Sequence, residues 1–107
     1  MKIIYNKILP FLGFVAINLF GIVFARIEHK PLTKKTINHE EIHTAQMREM
    51  LYVFFYLFYG LEWIIKLFIY GKDSYRNISF EREAYEHDQE YDYLSKINLF
   101  AWVKFIW

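Results

Sequence analysis

The chain has 107 residues, of which 55% are hydrophobic and 21% aromatic, with four glycines, two prolines and no cysteine. Such values are typical of a single domain that associates with a membrane, and the lack of cysteine excludes disulfides and thiolate metal sites. The net charge is +1 and no basic stripe occurs, so we expect no nucleic-acid partner. The scarcity of glycine and proline favours an all-α fold, a small membrane-associated helical bundle spanning residues 1–107.

The first predicted element is a transmembrane anchor helix within residues 1–26. Lys2 and Lys7 precede an apolar run over residues 8–25, in which Asn18 is the one strongly polar residue. A helix of that length covers about 27 Å, close to the hydrocarbon thickness of a bilayer. A cleaved signal peptide is the alternative, but the length of the run favours a retained anchor. We therefore expect a membrane protein, of the cytoplasmic membrane in a bacterium, with the basic connector after the anchor weakly cytoplasmic.

The second predicted helix begins near residue 36 and contains His-Glu-Glu-Ile-His at residues 39–43, the pattern H-E-x-x-H. Residues four apart share one helix face, so His39 and His43 can present two imidazole nitrogens to one Zn²⁺ ion. Glu40 then lies beside the metal, where it can act as general base on a bound water.

A third ligand is expected in the charged helix predicted over residues 79–96. Glu81 and Glu83 both lie in this helix, and the residues alone leave the choice between them open. Tyr85 is one turn after Glu81, so its hydroxyl could orient a ligand or donate to a developing oxyanion. Asp88 shares that face and could accept from the second N–H of a ligand histidine.

Together these motifs resemble those of the gluzincins, zinc metallopeptidases whose third ligand is a glutamate on a downstream helix. Membrane-bound gluzincins related to the CAAX prenyl proteases carry H-E-x-x-H followed by E-x-x-A-D, and this chain has Glu-Arg-Glu-Ala-Tyr at residues 81–85. Matching on Ala84 implies that Glu81 is the ligand and Glu83 an outward neighbour, with Tyr85 in place of the aspartate. The resemblance covers roughly residues 36–88 and implies a minimal membrane-bound zinc metallopeptidase.

Between the two motifs, polar residues and tyrosines recur every three or four positions along a helix predicted over residues 38–70, continuous or resumed after Gly60. We call this set the polar seam; its members are His39, His43, Gln46, Glu49, Tyr52, Tyr56, Tyr59, Glu62, Lys66 and Tyr70. The spacing predicts one stripe that faces protein or water on an otherwise apolar helix. Gln46 and Glu49 are candidates to support the metal ligands, and Glu62 can pair with Lys66.

The metal site restricts how residues 50–71 meet the membrane. If they spanned it, Glu81 would emerge on the side opposite the two histidines and could not reach the same ion. We therefore expect this segment to lie flat, or to enter partway and bend back at Gly60.

The chain is expected to form one domain, with the anchor at residues 1–26, the metal-site core at 36–95 and a tail at 97–107. The tail is too short to span a bilayer. Trp102 and Trp107, together with Lys104, predict that it is an interfacial anchor, and a short helix packed on the first one is the alternative.

These features predict a membrane-anchored zinc metallopeptidase that cleaves a peptide or a membrane-proximal protein segment and contacts membrane lipid. No edge strand is recognisable to align a substrate, so the cleft could need a second copy of the chain or a partner subunit. The alternative is a small non-catalytic membrane interaction protein whose polar seam binds a partner, with a structural metal or none. A zinc hydrolase acting on a lipid or another amide is a third possibility.

Overall fold

The structure is a computed structural model that describes residues 2–10 and 14–106. Its elements are the strands β1 (Lys2–Asn6), β2 (Ala16–Leu19) and β3 (Ile22–Arg26), then the helices α1 (Lys34–Glu49), α2 (Val53–Tyr70), α3 (Ser79–His87) and α4 (Tyr93–Lys96). Short 3₁₀ turns occur at Ile27–His29, Gly71–Asp73, Tyr75–Asn77 and Ala101–Phe105. The prediction of an all-α fold is therefore wrong, because a three-stranded sheet precedes the helices.

The segment predicted as a transmembrane helix forms this sheet, in the strand order β1-β3-β2. β1 pairs parallel with β3, and β2 pairs antiparallel with β3 through a turn at Phe20 and Gly21. Their φ values of 54° and 89° are those of a two-residue hairpin turn, whose second position glycine fills without steric cost. An apolar run in which half of the residues are isoleucine, valine or phenylalanine suits strands once such a turn divides it. Residues 1 and 11–13 of the predicted anchor lie outside the described residues.

The helix predicted over residues 38–70 is divided into α1 and α2 by a break at Leu51 and Tyr52, whose φ values are 54° and 61°. Gly60 lies inside the continuous helix α2, so the segment does not bend back there. The polar seam is confirmed, since each of its ten residues is buried or half-buried. The predicted pair of Glu62 and Lys66 is also present, with Oε1 and Nζ 2.8 Å apart.

The chain returns alongside α2 and brings the second motif back to α1. The Glu62 carboxylate on α2 accepts from the backbone N–H and the hydroxyl of Ser79, both at 2.6 Å, where α3 begins. Lys66 donates to the backbone carbonyls of Asn77 and, at 2.6 Å, of Ile106. α2 therefore does not separate the two motifs, as the metal site required.

The tail packs on the core through Trp102, whose ring lies 4.6 Å from that of Phe80, centroid to centroid. Trp107 lies outside the described residues, and the membrane contact of the tail stays a prediction. Among the described residues, one helical segment, Val53–Asp73, is long and apolar enough to cross a membrane. Within residues 2–10 and 14–106, the helix that could cross a membrane by length and composition is thus in the region of α2, and the described part of the N-terminal segment forms strands.

Asn18, the polar residue of the apolar run, joins the hairpin to α1. Its side-chain amide donates to the Glu40 carbonyl at 2.9 Å and to the Thr44 hydroxyl at 2.8 Å. Its side-chain oxygen accepts from the N–H of Gly21 at 2.9 Å, which stabilises the turn. Asn18 is buried, and its three side-chain hydrogen bonds connect the hairpin to α1 and stabilise the turn.

We expect Asn18→Leu to lower the free energy of unfolding by about 1–3 kcal/mol, because it removes three hydrogen bonds of a buried side chain, among them the one to the N–H of Gly21. Thermal unfolding in detergent measures the change. Ile17→Leu, at a half-exposed position of the same strand, is the control and should be close to neutral. If residues 8–25 formed a membrane helix, Asn18→Leu would instead stabilise the protein, which would contradict this fold.

Candidate metal centre

The three residues predicted as ligands meet in one buried cluster. The Nε2 atoms of His39 and His43 are 3.2 Å apart, and each lies 3.1 Å from Oε1 of Glu81. Adjacent turns of α1 carry the two histidines, and α3 carries the glutamate. This group can hold a metal ion.

The spacing of the three atoms suits tetrahedral coordination. Metal–ligand bonds of about 2.05 Å place tetrahedral ligands about 3.3 Å apart. The observed triangle, with sides of 3.1, 3.1 and 3.2 Å, is close to one face of such a tetrahedron. Two imidazoles and one carboxylate favour a transition metal, since calcium and magnesium prefer oxygen ligands alone.

Hydrogen bonds on the far side of each imidazole determine which nitrogen carries the proton. Nδ1 of His43 lies 2.8 Å from the side-chain oxygen of Gln46, and Nδ1 of His39 lies 3.3 Å from Oδ2 of Asp88. Both partners are acceptors, so both Nδ1 atoms donate, and both Nε2 atoms face the cluster, where a metal ion or a proton can bind them. The supporting positions predicted for Gln46 and Asp88 are thus observed.

Gln46 is itself held by a buried network that reaches α4. Its amide donates to the Phe80 carbonyl at 3.0 Å and to Oε1 of Glu83 at 2.8 Å, which directs its oxygen at His43. The other oxygen of Glu83 accepts from the Tyr93 hydroxyl at 2.5 Å. Glu83 is fully buried, so the expectation that it is an outward neighbour is wrong.

Two tyrosines lie against the ligands, in different ways. The Tyr59 hydroxyl donates to Oε2 of Glu81 at 2.5 Å and so orients the ligand carboxylate. The Tyr85 ring lies edge-on to His39, with centroids 4.5 Å apart, under the guanidinium of Arg76 at 3.8 Å. Tyr59 thus has the orienting role considered for Tyr85, whose role at an oxyanion stays a prediction.

Glu40 lies beside the three ligands and is not one of them. It is 7% exposed and lines a cavity next to the cluster, and its carboxylate has no hydrogen bond within the described residues. Burial raises the pKa of Glu40, which the charges of His43 and His39 offset only in part. A raised pKa makes the carboxylate a better proton acceptor, as a general base requires.

This cavity has a volume of about 510 Å³ and opens beside the ligands. Buried residues form its floor: Glu40, His43, Met47, Phe55 and Glu81. Its more exposed lining residues are Phe14, Ile17 and Trp63, and these form the rim. The cavity is therefore apolar at its mouth and polar at the cluster.

β2 is an edge strand beside this cavity, which the sequence had not indicated. The backbone N–H of Arg26 donates to the carbonyl of Val15 at 3.1 Å, so Val15 and Arg26 form a hydrogen-bonded pair next to the β2–β3 ladder. Hydrogen-bonded and non-hydrogen-bonded pairs alternate along an antiparallel ladder. Ala16 and Asn18 therefore belong to non-hydrogen-bonded pairs, and their backbone N–H and C=O groups point away from β3. The Asn18 carbonyl accepts from the Tyr56 hydroxyl at 3.0 Å, and Ala16 lines the cavity.

The two sequence motifs gave little or no indication of three residues that support the site. Tyr59 belongs to the polar seam, whose helical period indicates the face on which its side chain lies but not that it contacts Glu81. Asn18 stands alone in an apolar run, and that isolation was the available signal. Glu83 is one of four charged residues within residues 81–86, and nothing local distinguishes it from an exposed neighbour.

Comparison with protein-family models, with curated proteins and with solved structures finds no match for this chain. The resemblance to gluzincins therefore depends on the two motifs and remains a proposal. The function is inferred from the residues of the site.

The charges of His43 and Glu81 are coupled. Burial by itself would lower the pKa of His43, but the Glu81 carboxylate and its hydrogen bond raise this pKa to about 9. Burial would raise the pKa of Glu81, and the two histidines lower it below its usual value. In the metal-free protein, His43 is therefore positively charged at neutral pH, and its second proton occupies Nε2, the atom that a metal ion would bind.

We expect a divalent transition metal to displace about one proton per ion at pH 7, because a ligand imidazole must be neutral. Calorimetric titrations in buffers of different ionisation enthalpy measure this number. The number should fall as the pH rises through 9, since His43 is then already neutral. Binding at pH 7 without proton release would contradict the ion pair.

We expect Gln46→Leu to weaken metal binding by about 10- to 100-fold, because His43 loses the acceptor that holds its ring. Competition with a chromophoric chelator measures the dissociation constant. Glu49→Gln is the control, since that carboxylate accepts from the N–H of Phe100 and not from a ligand histidine. An equal loss in both variants would contradict a specific role for Gln46.

Proposed function

We propose that this chain is a membrane-bound zinc metallopeptidase of the gluzincin type, with His39, His43 and Glu81 as its zinc ligands. The observation that carries the proposal is the triangle of candidate ligand atoms with sides of 3.1–3.2 Å, next to the Glu40 carboxylate, which has no hydrogen bond within the described residues. Catalytic zinc sites have three protein ligands and one open position, whereas structural sites have four protein ligands. Among the described residues, the cluster contains three possible ligands.

In this mechanism zinc, when bound, polarises the scissile carbonyl and makes water more acidic. Glu40 takes a proton from the attacking water as the new C–O bond forms. It then passes that proton to the leaving nitrogen as the C–N bond breaks. Tyr59 and Gln46 hold Glu81 and His43 in position throughout.

The free edge of β2 supports a peptide as the substrate in preference to another amide. An extended peptide can add to an exposed strand edge through main-chain hydrogen bonds, and Ala16 presents such an edge at the cavity. The peptide would then run past Glu40 and the ligands. Tyr85, whose ring lies against His39, is the proposed donor to the oxyanion.

The alternative of a non-catalytic interaction protein has less support. It used the polar seam as the partner-binding face, but the seam residues are already buried or half-buried within the chain. The fourth ligand of a structural site is also missing among the described residues.

Zinc content and peptide hydrolysis of four purified variants test the proposal. Wild type and Glu40→Gln should hold one zinc each, and His43→Ala and Glu81→Ala should lose it. Glu40→Gln should also lower the cleavage rate of a fluorogenic peptide library by about 10²- to 10⁴-fold. Glu41→Gln, the same change one residue further along α1, should alter neither property.

Two results would contradict the proposal. Zinc retained at full occupancy in Glu81→Ala would remove Glu81 from the ligand set. Zinc binding by wild type without cleavage of any library member would favour the non-catalytic alternative.

A further inference from the structure

The outer face of α2 is apolar and uncharged. Its exposed residues include Val53, Leu57, Leu61, Ile64 and Phe68, the last of which is 87% exposed. The two charged residues of α2, Glu62 and Lys66, both lie on the opposite face, against the rest of the chain. At about 100° per residue, the exposed apolar residues extend from Leu67 on one side of this group to Ile69 on the other, an arc of about 200° of the helix circumference.

The width of this face indicates what covers it. A helix that packs on a protein core or on another helix buries a stripe of about 100°, half of the exposed arc. A second copy of the chain or a single partner helix would therefore leave much of the arc in water. Lipid acyl chains cover an arc of any width, so lipid is the occupant that fits.

The opposite face of α2 shows how the helix lies in the lipid. Phe55 and Tyr59 pack there on Phe80 of α3, and Lys66 reaches the carbonyl of Ile106 in the tail. A spanning α2 would carry the charged helix α3 into hydrocarbon, where each unpaired charge is strongly unfavourable. With α2 parallel to the membrane plane, its outer face meets acyl chains and α3 stays in water.

The cavity opens along the border of this outer face. Trp63, on its rim, is 41% exposed and belongs to α2, and Gly60 lines the cavity one turn earlier. Across the mouth, Phe14 and Ile17 of the N-terminal segment are 47% and 37% exposed. An apolar group could therefore pass from lipid to the ligand cluster along apolar side chains.

We propose that α2 lies in the plane of the membrane and that the cavity receives an apolar peptide segment directly from the bilayer. The choice of a peptide rests on the proposed peptidase function. The orientation of α2 and the preference for an apolar occupant rest on the geometry alone, so they can be tested without any hydrolysis.

The depth of Trp63 tests the orientation. Trp63 is close to the middle of α2, so a spanning helix would place it near the bilayer centre, and a flat helix near the headgroups. Trp102→Phe and Trp107→Phe leave it as the single tryptophan, in vesicles of lipids brominated at shallow or deep acyl positions. We expect stronger quenching by shallow bromines. Stronger quenching by deep bromines would show a span, and no quenching would show that lipid does not cover this face.

Vesicle flotation of single variants provides a second test that leaves all tryptophans in place. Phe68→Asp changes the most exposed residue of α2, so it should fold normally and reduce vesicle binding by at least about tenfold. Tyr91→Asp, at an exposed aromatic residue of the turn between α3 and α4, is the matched control and should bind as wild type. Equal binding by Phe68→Asp would overturn the proposal.

Inhibitor-like probes test the occupant of the cavity, with binding to the zinc-loaded protein in vesicles as the readout. Three hydroxamates share the zinc-binding group and differ in the group attached to it: an apolar hexapeptide, a polar hexapeptide or an alkyl chain of equal length. We expect the apolar peptide to bind at least about tenfold more tightly than the polar one. Equal binding would overturn entry from lipid, and tightest binding by the alkyl probe would replace the peptide with a lipid amide.

Gly60 offers a matched pair of variants for this test. Gly60 lines the cavity, and a Cβ atom built there meets no atom outside its own helix backbone and chain neighbours within 4 Å, so a larger side chain fits at this edge of the cavity without a clash. Gly60→Leu should remove the preference for the apolar peptide and retain zinc and vesicle binding, and Gly60→Ala should keep the preference. If Gly60→Leu loses the preference for the apolar peptide but keeps its zinc, the change lies in the cavity and not in the metal site.

Discussion

Nε2 of His39, Nε2 of His43 and Oε1 of Glu81 lie within 3.2 Å of one another in a space that solvent barely reaches. Lone pairs that converge in this way, one of them on a carboxylate, need a positive charge between them. In the metal-free protein a proton on His43 supplies it, and a bound metal ion would replace that proton. The contact of α1 with α3 depends on this charge, because without it the two helices would bring mutually repelling atoms together.

The rest of the buried polar structure holds these three side chains in place. Gln46 connects His43 to Glu83, and Glu83 connects in turn to Tyr93 on α4. Tyr59 holds Glu81 from α2. Each imidazole therefore has its Nδ1 engaged by an acceptor and its Nε2 directed into the cluster, which is the orientation that a metal site requires.

Helix α2 carries both part of the packing around the site and the apolar face that we propose meets lipid. One face contributes Tyr59 and Glu62 to the packing around the site, and the other exposes only apolar side chains over about 200°. A helix with one face packed on protein and one apolar face suits the boundary between protein and lipid, and the cavity opens beside that apolar face. In the proposed arrangement, the location of the protein and the access to its site are properties of the same element.

The amino-acid sequence by itself determined the features that depend on local spacing. Roughly four residues per helical turn bring His39 next to His43, and the same period produces the polar seam, which includes Tyr59. It did not determine the N-terminal fold, because an apolar run of about eighteen residues fits both a membrane helix and a hairpin, and the choice is made by the turn at Gly21 and the bonds of Asn18 to α1. Nor did it show that Glu83 is buried, since its partners are distant in the chain. Contacts between distant segments leave no periodic signal, so only the tertiary structure decided them.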